Sequence, residues 1–265
     1  MNLTMTGRLC DCALMSFGTP ADSVRHLVPD GLELITRGDR AFWNVVTCRV
    51  DHMRPKHLPA AVGVTYHHVA YRLLVQAMTQ RADLVAGLYF VRSDADAALL
   101  GAVGNRTTDF KFHPAAIELS TQPQRYRAAV TTDDGTGHAQ FELGGSAPAA
   151  GPRHPESAFA THLDAQEWLT YRPLGLSVGG SPRARRLRLA QVHRDADHWR
   201  ETAVQLTSFR SAVFDALGQT PSRGLIPEHA TRVADMDYEW RLGRSEALLN
   251  PASTPTSTAE PAGVS

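Results

Sequence analysis

From Val64 to Gln76 the chain alternates with a period of two, and no other stretch constrains the fold as strongly. Successive strand residues point to opposite faces. One face therefore carries Tyr66, His68, Ala70 and Arg72, and the other Val69, Tyr71, Leu73 and Val75. The second face reads as core. The first is polar enough to face solvent, and it would equally suit the wet interior of a barrel.

The remaining pattern supplies partners for such a strand. Leu9–Phe17, Val62–Gln76, Leu84–Arg92 and Arg185–His193 read as strands, as does Ala230–Leu242. Leu32–Thr36 and Ala41–His52 form a hairpin across Gly38-Asp39. Ala116–Ser120, Tyr126–Thr131 and Ala139–Leu143 read as a meander, with Asp133-Asp134-Gly135 turning the last pair. Helices are fewer. Thr19-Pro20 predicts a short helix over Ala21–Val28, Ser93 with Asp96 a cap before Ala97-Ala98-Leu99-Leu100, and Phe209, Val213, Phe214 and Leu217 a helix over Thr207–Leu217. Ala147–Pro155 and Gly179–Pro182 read as loops. Many strands and few helices predict an α+β, mainly β molecule: an antiparallel barrel or sandwich with a few helices packed outside. One domain is expected over residues 1–249. The Pro-, Ser- and Thr-rich stretch 250–265 is expected to be a disordered tail.

The 265 residues carry 27 basic and 27 acidic groups, so no global charge draws the chain to nucleic acid or an anionic membrane. No segment approaches the ~20 apolar residues of a membrane-spanning helix, and the first residues lack the pattern of a secretory signal. Three cysteines, Cys10, Cys12 and Cys48, suggest no disulfide framework, so a reducing, cytoplasmic setting is expected. Together with His52, His67 and His68 they invite a zinc reading. The paired spacings of structural zinc sites are missing, and the expectation is no metal and no cofactor. A nucleotide-binding glycine loop and a Gly-x-Ser-x-Gly elbow are also missing.

Two lysines, Lys56 and Lys111, serve the whole chain. Around Lys111, alternation sets Phe110 and Phe112 on one side, and Asp109, Lys111 and His113 on the other. With both polar faces turned inward, His68, Arg72, Lys111 and His113 would converge on a ligand. Desolvation and nearby guanidiniums would then favour a neutral lysine amine, the form that attacks a carbonyl. The competing reading is a surface lysine on an edge strand. Arg92 and Arg106 would either clamp a substrate carboxylate or pair with Asp94, Asp96 or Asp109.

An ordered set of motifs resembles the YqjF-like family of unknown function, which is related to acetoacetate decarboxylase. The set runs from Leu27-Val28-Pro29-Asp30-Gly31-Leu32 through Tyr66-x-x-Val69-x-x-Arg72 and Leu88-Tyr89-Phe90-x-x-Ser93-Asp94-Ala95 to Phe110-Lys111-Phe112-His113-Pro114. Trp168-Leu169-Thr170-Tyr171-Arg172, Val192-His193, Trp199 and Tyr238-Glu239-Trp240 complete it, so the resemblance spans roughly residues 9–242. It implies a barrel-like fold with an internal cavity and, by analogy with the decarboxylases, a lumenal lysine forming a Schiff base with a β-keto acid. Here Lys111 has no adjacent lysine, and His68 stands where those enzymes carry glutamate.

The reading that follows is a cofactor-free enzyme acting on a small carbonyl or carboxylate metabolite by decarboxylation, dehydration, aldol-type or cyclisation chemistry. Lys111 is expected as nucleophile or electrostatic stabiliser and His68 or His113 as acid/base, with Tyr66, Arg72, Arg92 and Arg106 binding substrate. The partner is a small molecule, and a homo-oligomer is possible. The alternative is a non-catalytic small-molecule-binding or interaction domain.

Overall fold

The computed structural model describes residues 3–97, 105, 108–146, 153–169, 172–181, 184–194 and 199–249. In chain order its strands begin with β1 (Leu3–Pro20), β2 (Glu33–Leu34), β3 (Thr36–Arg37), β4 (Arg40–Pro55) and β5 (Val64–Met78). Next come β6 (Leu84–Ala95), β7 (Phe112–Pro114), β8 (Ala116–Gln122), β9 (Arg125–Thr131) and β10 (Ala139–Ser146). The last five are β11 (Leu174–Ser181), β12 (Ala184–Arg194), β13 (Glu201–Ser211), β14 (Ile226–Val233) and β15 (Met236–Ala247). Among the described residues the short helices α1 (Ala21–Val24), α2 (His162–Trp168) and α3 (Ala212–Ala216) lie between them.

β1 organises the molecule because its 18 residues serve two sheets. One edge pairs with β4 along its length, from Met5↔Pro55 to Pro20↔Arg40. The other edge pairs first with β15, Leu3↔Leu242 to Leu9↔Met236, and then with β14, Cys12↔Val233 to Gly18↔Ile226. The change falls at a bulge where Asp11 takes φ 48° and the β4 register slips between Cys10 and Ala13. An extra residue in one strand sharpens bend and twist, and here it lets the chain leave one sheet for the other. The path β1-β4-β5-β6-β11-β12-β15 returns to β1 and closes a seven-stranded barrel. It is antiparallel except at β6–β11, joined by the single parallel pair Leu88↔Gly175. The path β14-β13-β10-β9-β8 forms a second sheet folded over the barrel wall.

This two-layer arrangement resolves the faces of β5. Val69, Tyr71, Leu73 and Val75 pack outward against Tyr126, Val130, Phe141 and Leu143 of the second sheet. Tyr66, Ala70 and His68 point into the barrel, where Cys48, Val50, Phe90 and Phe112 join them. Both faces are buried, and each fully buried large side chain contributes about 1.5–3 kcal/mol. Buried hydroxyls are paired across the layers: Tyr126 Oη lies 2.7 Å from Thr47 Oγ1, and Ser211 Oγ donates to Tyr71 Oη at 2.9 Å.

One end of the barrel is roofed by residues 153–169. Thr161 caps α2 by accepting from the Asp164 backbone N–H at 3.0 Å. Arg37 grips Asp164 with two bonds of 2.7 and 2.9 Å, and Trp168 packs 4.6 Å from Phe42. The buried Glu228 carboxylate of β14 bonds Arg153, the Ser157 hydroxyl at 2.6 Å and the Ala158 N–H at 3.2 Å. Among the described residues no helix is long and apolar enough to cross a membrane.

Several local expectations need correction. Thr207–Ser211 is strand rather than helix, because Phe209 pairs with Phe141 of β10; only Ala212–Ala216 is helical. Ser93-Asp94-Ala95 belongs to β6, and Asp96 accepts from the His67 N–H at 2.7 Å instead of capping a helix. The helix foreseen over Ala97–Leu100 falls largely outside the described residues. Gly179–Ser181 lies in β11, and Ala230–Leu242 is broken into β14 and β15. The helix over Ala21–Val28 is one α-turn followed by a 3-10 turn, Arg25–Leu27. The turn at Gly38-Asp39 and the β8-β9-β10 meander form as expected, but only Thr36–Arg37 pairs with β4, while Glu33–Leu34 pairs with β5 instead.

Candidate functional site

Strand register stacks the inward side chains in layers. His229, Ser16, Asn44, Arg72 and Phe90 are successive cross-strand partners over β14, β1, β4, β5 and β6. Below them lie Thr231, Leu14, Val46, Ala70 and Ser93. The next layer holds Cys48, His68 and Ala95, with Cys12 opposite Val233 on β14. Small Ala70 separates Arg72 from His68 and leaves open space between a cation and an imidazole.

The space is a chamber of about 120 Å³. A water needs roughly 10–15 Å³ by this measure, so the chamber takes a metabolite of the order of ten non-hydrogen atoms. Gln166, Leu169 and Arg172 border it from the roof, and Phe110, Tyr238 and Trp240 from the wall. Arg194, Trp199 and Glu201 also border it; the Arg194 guanidinium lies 3.9 Å from the Trp199 ring centroid, and Trp199 Nε1 donates to Glu201 at 2.6 Å.

The Arg72 guanidinium donates to Asn44 Oδ1 and lies 5.6 Å from the Phe90 ring centroid. Asn44 in turn donates to Ser16 Oγ at 3.4 Å. His68 is 3% exposed, with its ring 5.3 Å from that of Phe112. Its Nε2 has no hydrogen-bond partner among the described residues. Burial, and then the Arg72 charge, push its pKa down to about 3, so the imidazole is neutral. His229 is similar: Nε2 has no partner among the described residues, and burial followed by Arg153 and His162 lowers its pKa to about 4. Burial also pushes the Cys48 thiol up to about 12 and raises Cys12. These thiols stay protonated, which leaves them inert as nucleophiles. The Ser93 hydroxyl points inward, fully buried and without a partner among the described residues.

Tyr66, His68 and Arg72 thus share the barrel interior. Lys111 and His113 do not join them. The division of faces over Phe110–His113 is as expected, but the aromatic face is the one turned inward. Phe110 stacks on Phe90 at 4.1 Å and meets Trp240 edge-on at 5.1 Å, while Phe112 packs on His68. Burying two phenyl rings outweighs any gain from enclosing two polar groups. Lys111 is exposed at φ 55°, with Nζ donating to Tyr89 Oη at 2.6 Å and lying 4.4 Å from that ring's centroid. His113 is exposed. Lys56, also exposed, pairs with Glu239 at 2.5 Å. Neither lysine reaches the chamber.

Arg92 lies outside the barrel, where it bonds Asp94 at 2.9 and 3.1 Å and the Thr136 hydroxyl at 3.0 Å. It is a joint between barrel and second sheet, the ion-pair alternative weighed above. Arg106 falls outside the described residues. Among the described residues no trio of His, Cys, Asp or Glu stands as a metal site. His229, Arg194 and Glu201 gave no local signal, because they reach the chamber through register rather than through a motif; Arg172 closes the Trp168–Arg172 motif but was not singled out as a site residue.

A family described as an uncharacterized conserved protein (COG2071), DUF2071, matches residues 6–234. The chain belongs to this family. No curated protein matches this DUF2071 chain. Among solved structures it is similar to an acetoacetate decarboxylase-like enzyme from Sphingomonas wittichii RW1, with a TM-score of 0.57 at 13% identity over 93% of this chain and 92% of that one. Acetoacetate decarboxylase from Legionella pneumophila subsp. pneumophila str. Philadelphia 1 gives 0.56 at 11% identity, covering 93% and 88%. The enduracididine biosynthesis enzyme MppR, complexed with the condensation product of pyruvate and imidazole 4-carboxaldehyde, gives 0.55 at 14%, covering 95% and 90%. The DUF2071 chain therefore has the acetoacetate decarboxylase-like fold.

Proposed function

We propose that the chamber is the active site of a cofactor-independent enzyme that acts on a small carbonyl-bearing carboxylic acid by proton transfer, without a Schiff base. The observation that carries this reading is His68: a neutral imidazole, buried, its Nε2 unpartnered, one layer of open space away from the Arg72 guanidinium. Arg72 binds the carboxylate, as its fork geometry favours. His68 takes a proton from the carbon next to the carbonyl, and the electron pair left behind is delocalised as an enolate. Dehydration, aldol-type and cyclisation reactions all pass through such a carbanion. A general base contributes about 10²–10⁴-fold when its pKa lies near the working pH, and a carboxylate bound on Arg72 offsets the positive charge that helps hold His68 down to about 3. The structure of the neighbour MppR complexed with pyruvate supports an oxo acid as the ligand class. Three free thiols support a cytoplasmic setting.

The second reading is a domain that holds a small molecule without transforming it. It is favoured by the apolar lining, Leu9, Leu14, Val46, Leu74 and Leu88 among others, and by the exposure of Lys111. Exchange of the C3 protons of a panel of 2-oxo acids in D2O, followed by NMR, separates the two. Exchange by the wild type that falls at least a hundredfold in His68→Gln supports the enzyme. Binding without exchange above the buffer rate, across the panel, leaves the holding domain.

A further inference from the structure

Two guanidiniums meet the Ser16–Asn44–Arg72 end of the chamber from different elements. Arg72 projects from the wall on β5, and Arg172 enters from the segment that follows α2. Among the described lining residues this end carries no carboxylate. The lining acid, Glu201, sits opposite Val233, at the level of Cys12 on β1. Cys12 and Ser16 are four residues apart, about 13 Å along a strand. Glu201 also bonds Trp199, and its charge raises the Cys12 thiol, which fixes it at the far end.

Arg172 is poorly satisfied by the protein. Its Nη2 reaches the Trp168 carbonyl at 3.4 Å, and its buried Nε has no partner among the described residues. Arg172 is half-buried, and a buried N–H such as its Nε left without an acceptor is costly. His229, whose Nε2 also has no partner among the described residues, and Gln166 line the same chamber as neutral groups. A single carboxylate on Arg72 leaves this second cation unanswered.

We infer that Arg172 is a second anion anchor and that the ligand is a small dicarboxylate, one carboxylate held from the wall by Arg72 and the other from the roof by Arg172. This rests on the oxo-acid reading of the chamber and narrows it to oxo-dicarboxylic acids. A five-carbon oxo-dicarboxylate, at ten non-hydrogen atoms, is of the size the chamber takes.

The test compares 2-oxoglutarate with 2-oxopentanoate, which has the same chain length and one carboxylate fewer, by calorimetric titration at low salt. Wild type is expected to prefer the diacid by about ten- to hundredfold, the worth of one charge-assisted pair. In Arg172→Gln that preference collapses toward one. Arg172→Lys retains part of it, because a point charge replaces the fork. Far- and near-ultraviolet circular dichroism establishes that each variant is folded. Equal binding of the two acids by wild type, or a proportionate loss of both in Arg172→Gln, would overturn the second anchor and leave the proton-transfer reading standing. Binding of neither acid would overturn both.

Discussion

His68 and His229 are the side chains most altered by the fold, since both are ordinary imidazoles in the unfolded chain and neutral ones in the folded state. Their folded pKa values, about 3 and about 4, lie below the usual 6.5. Between these limits the unfolded state binds a proton that the folded state refuses, so stability rises with pH through that window and falls as the solution is acidified. Each group adds a slope of about 1.4 kcal/mol per pH unit. Urea denaturation from pH 7 to 4.5 should therefore show a shallower dependence in His68→Gln than in wild type, and a shallower one still with His229→Gln added. Identical slopes would mean that His68 takes up its proton in the folded chain as readily as in the unfolded one, and the closed, desolvated chamber assigned to it would be lost. His68 was legible in the alternation of its strand. His229 was not, because its neighbour Ser16 lies more than two hundred residues away and only the β1–β14 register joins them.

At the level of elements, alternation revealed which side chains share a face but not which face is enclosed. In a single sheet the polar face is normally the solvent face. β5 lies between a lumen and a second sheet, so both of its faces are buried and the rule is silent. Over Phe110–Phe112 a preference for polar groups near a site pointed the wrong way, because that wall is built from stacked rings. The segment 207–217 misled through spacing alone: Phe209 and Phe214 meet at one aromatic cluster with Phe17, although one comes from a strand and the other from a helix. The roof was invisible because its anchor is the tertiary pair Arg153–Glu228, with side chains 7% and 0% exposed. Glu228 is the residue where the β1–β14 register slips, and it turns its carboxylate to three donors from the roof. Glu228→Ala leaves a buried guanidinium without its anion, and a loss of about 3–5 kcal/mol is expected in urea denaturation. Amide exchange should accelerate at 157–168 more than in β4. A loss under about 1 kcal/mol would show that Arg37–Asp164 and the Phe42–Trp168 packing hold the roof on their own.

For the whole molecule, barrel closure sets the chemistry by deciding what it excludes. Seven strands enclose a chamber bordered by guanidiniums, neutral imidazoles and protonated thiols, and both lysines of the chain are left on the outer surface. Each lysine has a local role that arginine can take over. Lys56 pairs with Glu239, and Lys111 sits over the Tyr89 ring, where a guanidinium stacks equally well. A chain carrying both Lys56→Arg and Lys111→Arg should therefore fold with stability within about 0.5 kcal/mol of wild type, as surface exchanges do. It should also retain the 2-oxo acid affinity and C3 proton exchange of the parent. Borohydride added with the same acids should leave the mass of the wild-type chain unchanged. A reduced adduct on Lys111, or loss of exchange in the lysine-free chain, would mean that the 110–113 segment turns its amine inward when ligand binds. The wall would then have to release Phe110 from Phe90 and Trp240 to admit it, and the amine chemistry implied by the resemblance to the decarboxylases would return in place of the imidazole.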